Sequence, residues 1–378
     1  MTKVSIVKCD DYNQEKVDRA VEESLKLIGG VESIINQKDK VLLKPNLSIP
    51  KEPEKGVTTH PAVLKALSKI MLNAGAEVTI GDSSAGAWKT SHSLRVCGIE
   101  DLCKELNVHI ANFDEALPIK VSSSTAVILK SFYMAQAVND ADVVVSVPKL
   151  KVHELMLFTG AVKNMFGAIP GWYKMEIHKQ ASSCEQFSNA LIDIYSAIRP
   201  KLAVMDGIIT VEGSAGIGRT KKVGVILASK DCLALDTVAS QLIGYAPKTL
   251  PLNKVAKKRG FNSAELARIE IVGESLEEVL VSDFKKPQMF IQFLASTTRI
   301  YGALAVKPKM KLNMKKCIKC GLCRESCPVG AITMIPQPIF DFSNCIYCFC
   351  CREICPQGAI EIKLPWIARR IGKALVSE

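Results

Sequence analysis

Residues 142–153 read DVVVSVPKLKVH, and this stretch decides the architecture. Valine at 143, 144, 145 and 147 leaves the run apolar at nearly every position, where a strand with one wet face would alternate. A strand covered on both faces belongs to a mostly parallel sheet with helices on either side. In such sheets ligands sit beyond the carboxyl ends of the strands, so Lys149, Lys151 and His153, which follow directly, are expected at a binding site. Their charge suits an anion such as a carboxylate or phosphate, the plainer alternative being solvated lysines at a sheet edge.

The flanking sequence repeats the pattern. VSIV (4–7), VLLK (41–44), EVTIGD (77–82), LAVMD (202–206), VGVILAS (223–229) and IEIVG (269–273) read as strands. Helical periodicity fits Gln14 to Ile28, Pro61 to Asn73, Cys184 to Ile198 and Asp231 to Ile243. The polar residues that follow strands, Lys44-Pro45-Asn46, Gly81-Asp82-Ser83-Ser84 and Asp206-Gly207, mark the same sheet edge, although such residues also terminate strands for conformational reasons alone.

Composition removes several classes. With 378 residues, 48% apolar and 23% charged, the chain can bury a core without disulfide staples and is not disordered. No run of about 18 uncharged apolar residues occurs, and MTKVSIVKCDDYNQEK lacks the apolar stretch of a signal peptide, so a cytoplasmic protein without a transmembrane segment is expected. In a reducing compartment, 14 cysteines are metal ligands or buried thiols rather than cystines. The formal charge of +11 invites a nucleic-acid reading. From Lys307 to Glu378, however, 12 Lys/Arg stand against 5 Asp/Glu beside the densest cysteines, where bound clusters would offset the excess. No nucleic-acid partner is expected.

Those cysteines form an internal repeat. Cys317, Cys320, Cys323, Cys327-Pro328 and Gly330-Ala331-Ile332 are echoed by Cys345, Cys348, Cys351, Cys355-Pro356 and Gly358-Ala359-Ile360. Three thiolates two residues apart can wrap one face of a cubane, and the proline turns the chain away after the fourth. The spacing closely resembles that of bacterial two-cluster ferredoxins, in which the fourth cysteine of each run serves the other cluster. That resemblance implies two [4Fe–4S] clusters, one on Cys317, Cys320, Cys323 and Cys355, the other on Cys345, Cys348, Cys351 and Cys327. Paired zinc knuckles are the alternative, but zinc sites usually use two separated pairs of ligands. Cys350 fits no ligand position and is expected to be a packed neighbour; Tyr347 and Phe349 are expected to shield the second cluster. Cys9, Cys97, Cys103, Cys184 and Cys232 are expected to be buried structural thiols.

The central segment carries Lys149, Lys151, His153, then Thr159-Gly160, Lys163-Asn164-Met165-Phe166-Gly167, Lys174 and His178. Together with Lys44-Pro45-Asn46, Thr59-His60-Pro61, Gly81-Asp82-Ser83, Met205-Asp206-Gly207, Glu212-Gly213 and Ala228-Ser229-Lys230-Asp231 through Ala234-Leu235-Asp236, it resembles the domain-of-unknown-function family 362, in its version with a C-terminal ferredoxin module. More distantly, about 30 residues are similar to the lactate racemase superfamily, where a histidine and a lysine ten residues later serve the active site and its nickel-pincer cofactor. His153 and Lys163 keep that spacing, and His178 lies about where that superfamily has a further histidine. This likeness implies a shared fold and a site in the same place; any additional metal or cofactor in the α/β domain is left unnamed.

The expected organisation is an α/β domain over 1–284, a helical connector and linker over 285–311, a small α+β two-cluster ferredoxin-like domain over 312–362, and a basic amphipathic tail over 363–378. Asp82, Asp206, Glu212 and Asp236 could hold a hard cation or cap helices, and His60 could contact a ligand or simply open the helix at Pro61. The loop from Glu212 to Arg219 has three glycines without a nucleotide-binding spacing. The functional expectation is an iron–sulfur oxidoreductase component with a redox partner protein. His153, Lys163 and His178 would be catalytic, and Lys44, Asn46, Asp82, Ser83, Lys149, Lys151 and Asn164 would bind a small anionic ligand. His153 is the expected general acid/base because its unperturbed pKa lies near neutrality. The rival is a non-catalytic electron carrier or assembly partner docking to a larger redox enzyme.

Overall fold

The computed structural model describes residues 1–287 and 307–366. The expected connector and the tail lie largely outside those residues. At the centre is an eight-stranded sheet whose strands run, in spatial order, Ile269–Gly273, Thr2–Lys8, Arg219–Ser229, Leu202–Glu212, Val143–Ser146, Lys40–Lys44, Glu77–Asp82 and His109–Asn112. Only Arg219–Ser229 runs against the others, pairing antiparallel with both neighbours. The cause is local: just six residues, 213–218, join it to Leu202–Glu212, too few for a crossover.

The valine run behaves as its composition dictates. All four residues of Val143–Ser146 are buried, and alternate side chains feed different cores. Val144 and Leu42 pack with the helices Cys184–Ile198 and Cys232–Leu242 on one face. Val143, Val145, Val41 and Leu43 pack with Gln14–Leu27 and Pro61–Asn73 on the other. The helix ends follow sequence signals: Ser183 and Gln186 form a capping box, and the Asp231 carboxylate accepts the N–H groups of Leu233 and Ala234. The edge strand His109–Asn112, with exposed or half-buried side chains, lacks the apolar run that marks the interior strands.

After Lys149, which still bridges to Asp206, the chain leaves the main sheet. Lys151–His153 pairs antiparallel with Leu157–Thr159 as a separate hairpin. The C-terminal unit pairs Lys309–Leu312 with Ile360–Lys363, and its two cysteine runs adopt matching backbones. Lys319 and Tyr347, Gly321 and Phe349, and Gly330 and Gly358 occupy equivalent positions with positive φ. Phe349, at φ 62°, thus takes a left-handed conformation that the first repeat gives to glycine.

This unit is docked on the α/β body through two adjacent residues on each side. The Glu154 carboxylate pairs with the Arg352 guanidinium at 2.8 Å, both side chains buried, and also accepts the Ser214 hydroxyl. Next to it, His153 Nε2 lies 3.1 Å from Glu353 Oε1. Ile354 completes the seam in an apolar cluster with Ile49, Val57 and Val211. Stranding one member of a buried pair costs about 3–5 kcal/mol, whereas replacing both with apolar groups costs far less. Glu154→Leu is therefore expected to lower the urea midpoint of the holoprotein sharply, and the Glu154→Leu/Arg352→Met double variant to recover most of the loss.

Candidate functional site

The loops at the carboxyl ends of Lys40–Lys44, Glu77–Asp82 and Val143–Ser146, with the helix Gly171–Gln180, enclose a cleft with a cavity volume of about 120 Å3. Lys44, Asn46, Asp82, Ser83, Lys151, His153, Lys163, Asn164 and His178 all line it. Of the α/β-domain residues expected there, Lys149 is the exception and a correction. Its ammonium is fully buried between Asp206 (2.8 Å) and the Tyr12 hydroxyl (2.6 Å), and it ties the sheet to the Gln14 helix entry rather than facing the cleft.

The cleft wall is built on glycines that admit charges. Lys44 pairs with Asp82 at 2.7 Å and donates to the carbonyl of Pro45 and to Asn164 Oδ1, while Asp82 also accepts the N–H groups of Leu47 and Ser83. A Cβ at Gly167 would fall on both the carboxylate and the ammonium. A Cβ at Gly160 would likewise fall on Asp236, whose carboxylate accepts the N–H groups of Ala161 and Val162 and so anchors the start of Ala161–Asn164, the short helix that carries Lys163. Asp236 is thus a cap, Glu212 binds the Lys285 N–H, Asp206 holds Lys149, and His60 caps its own helix while stacked on Tyr12 at 3.6 Å.

Lys151 donates to Asn46 Oδ1 (2.9 Å), Ser48 Oγ (2.9 Å) and the Val57 carbonyl (3.0 Å). Burial, reinforced by nearby Lys163, pushes its pKa down to about 7. Lys174 reaches the Ser83 carbonyl and hydroxyl and the Ser84 carbonyl at 2.7–2.8 Å, and burial pushes it down to about 8. His153 accepts the N–H groups of Leu155 and Met156 at Nδ1, so its proton sits on Nε2, facing Glu353. Burial and the neighbouring lysines hold His153 well below its ordinary value, and burial brings His178, stacked on Phe187 at 4.5 Å, down to about 3. The unperturbed-pKa argument for His153 therefore fails, because a neutral imidazole is the favoured form among these cations. Glu353, pushed up to about 7 by burial, lies nearer neutrality.

Sequence reasoning named Lys174 without giving it a role and missed Glu353 altogether. Lys174 sits on an expected cationic segment, but nothing local ties Glu353, between two cysteines, to residue 153. Cys350, expected to be a packed neighbour, lines the cleft beside Cys348.

The eight repeated cysteines gather around two further cavities. Cys317, Cys320, Cys323 and Cys355 line one; Cys327, Cys345, Cys348 and Cys351 line the other, with Phe349 buried against it. Backbone N–H groups point at sulfur in both: Ala331 to Cys327, Ala359 to Cys355 and Tyr347 to Cys345 at 3.2–3.4 Å. Among the described residues no three His, Cys, Asp or Glu side chains converge on a single-ion position. The donor set is soft, and the N–H groups favour anionic sulfur, so the residues present fit iron–sulfur clusters.

Residues 41–241, more than half of the chain, match the family described as Domain of unknown function (DUF362). The chain belongs to that family. Residues 310–333 match a 4Fe-4S binding domain, which makes this DUF362 chain an iron–sulfur protein. Thylakoid-associated protein sll1697 of Synechocystis is 29% identical over 293 residues, 76% of this chain and 88% of that protein. The lactate racemase apoprotein of Thermoanaerobacterium thermosaccharolyticum superposes with a TM-score of 0.38 at 13% identity, covering 62% of this chain and 58% of that one. No helix among the described residues is long and apolar enough to cross a membrane. The cleft is composite: Lys44 through Gly216 fall within the matched DUF362 span, whereas Ser326, Cys348, Cys350, Glu353 and Ile354 come from the C-terminal unit.

Two outcomes follow from this geometry. Gly167→Ala, by overpacking the Lys44–Asp82 pair, is expected to cost about 1–3 kcal/mol in chemical denaturation. Between pH 7 and the ordinary lysine range, the unfolded chain keeps a proton that folded Lys151 releases, so this residue makes stability rise with pH. Lys151→Met is expected to flatten that rise in thermal midpoints measured from pH 7 to pH 9.

Proposed function

We propose that this protein is an oxidoreductase component that passes electrons through two [4Fe–4S] clusters to or from a small anionic molecule held in the cleft. The observation that carries the reading is Cys348, which lines both the second cysteine cavity and the Lys/His cleft. One cluster is assigned to Cys317, Cys320, Cys323 and Cys355, the other to Cys345, Cys348, Cys351 and Cys327. The clusters would supply one-electron transfer at the cleft wall.

The chain's own residues do the rest. Lys151 and Lys163 hold the anion and stabilise added negative charge, and His178 walls the pocket with a neutral ring. His153 and Glu353, 3.1 Å apart, are the groups that would hold or move a proton at the same wall, Glu353 Oε1 having no hydrogen-bond partner among the described residues. A separate redox protein would exchange electrons with the exposed side, where Cys320 is solvent-accessible.

Anaerobically purified protein is expected to contain about eight irons per chain and to give a [4Fe–4S] paramagnetic signal on reduction. Cys317→Ala and Cys345→Ala are each expected to lose about half of that iron. Iron far below eight, or silence after reduction, would sink the reading.

A further inference from the structure

Buried lysines in this chain fall into two kinds. Lys44 and Lys149 each have a carboxylate of their own, Asp82 at 2.7 Å and Asp206 at 2.8 Å. Lys151 and Lys174, 4% and 6% exposed, have none: each ammonium spends its three donors on neutral oxygens. Lys163, half-buried in the same cleft, makes no hydrogen bond or ion pair with any described residue. The wall thus presents four lysines, counting Lys44, against two carboxylates, Asp82 and Glu353. Asp82 is already engaged by Lys44, which leaves Glu353 facing three cations.

A buried charge without a counter-charge is costly, and the loss is recovered only when an opposite charge arrives with good geometry. The two unpaired buried lysines are held by different loops, Lys174 by residues 83–84 and Lys151 by residues 46–57, and Lys163 is near enough to depress both. The cleft's cavity volume, about 120 Å3, is several times what one water needs and so exceeds single-ion size. Both lysines are fixed by the α/β body, not by the C-terminal unit that would carry the clusters.

Resting on the function proposed above, we infer that the cleft binds a small molecule with two separated anionic groups, of the dicarboxylate or phosphocarboxylate class, one group at Lys174 and the other at Lys151 and Lys163. The second group then lies at the wall formed by Cys348, Cys350 and Glu353, which places the reactive end of the ligand where electrons would be exchanged.

The test is anaerobic calorimetric titration of the full-length holoprotein with malonate, succinate and 2-phosphoglycolate, against acetate and inorganic phosphate. At least one of the doubly anionic probes is expected to bind about tenfold or more tightly than both acetate and phosphate, the gain expected from a second charge pair in a partly desolvated site. Lys151→Met and Lys174→Met, checked for unchanged iron content, are each expected to erase that preference. Equal binding of mono- and dianions by the unaltered protein overturns the inference without recourse to any variant. So does a preference that survives in either variant, since that lysine then holds neither anionic group. Dianion-selective binding that leaves the paramagnetic signals of the reduced clusters unmoved supports the inference while removing the electron-delivery reading. Ligand-independent clusters with no selective binding do the reverse.

Discussion

The Glu154–Arg352 ion pair is the contact on which the arrangement of the site depends. It joins residues 198 apart in sequence, and both partners are buried. The guanidinium also donates to the Ile360 carbonyl, so one side chain links the α/β hairpin to the closing strand of the C-terminal unit. Because Arg352 sits between Cys351 and Cys355, the same contact sets where the cysteine cavities lie relative to the cleft. Burial makes the pair an all-or-none device: its worth lies less in net stability than in the penalty for any docking that leaves either charge alone.

The cleft follows the same logic with the opposite outcome. Gly160 and Gly167 leave room for Asp236 and the Lys44–Asp82 pair, and those groups hold the loop that presents Lys163. Around this satisfied frame stand cations that are hydrogen-bonded yet lack opposite charge. Hydrogen bonds to neutral oxygens orient Lys151 and Lys174 without neutralising them, so the scaffold keeps them in place at the expense of their protonated form. Burial holds their pKa values down, to about 7 and about 8.

Much of this was legible from residue order. The valine run announced a two-sided strand, and the helices at Pro61–Asn73 and Cys184–Ile198 begin and end where periodicity put them. The loops after the strands did form the cleft, as the carboxyl-end rule requires. The reversal of Arg219–Ser229 and the edge strand His109–Asn112 were not legible. The first depends on a short loop closing into a hairpin, and the second lacks an apolar face. Lys149 and Lys151 look equivalent in sequence, but the chain leaves the sheet between them, and one meets Asp206 while the other meets Asn46.

The amino-acid sequence by itself determined the α/β sheet and the paired cysteine runs, since both are local periodicities: burial on two faces of one strand, and thiols at fixed intervals along one backbone. Only the tertiary structure decided which lysines have a carboxylate and that Cys348, Cys350 and Glu353 close a cleft opened by residues some 200 positions earlier. Charge compensation and cavity walls depend on distances through space, and a desolvated ammonium is distinguished from a solvated one only by what the rest of the chain packs around it.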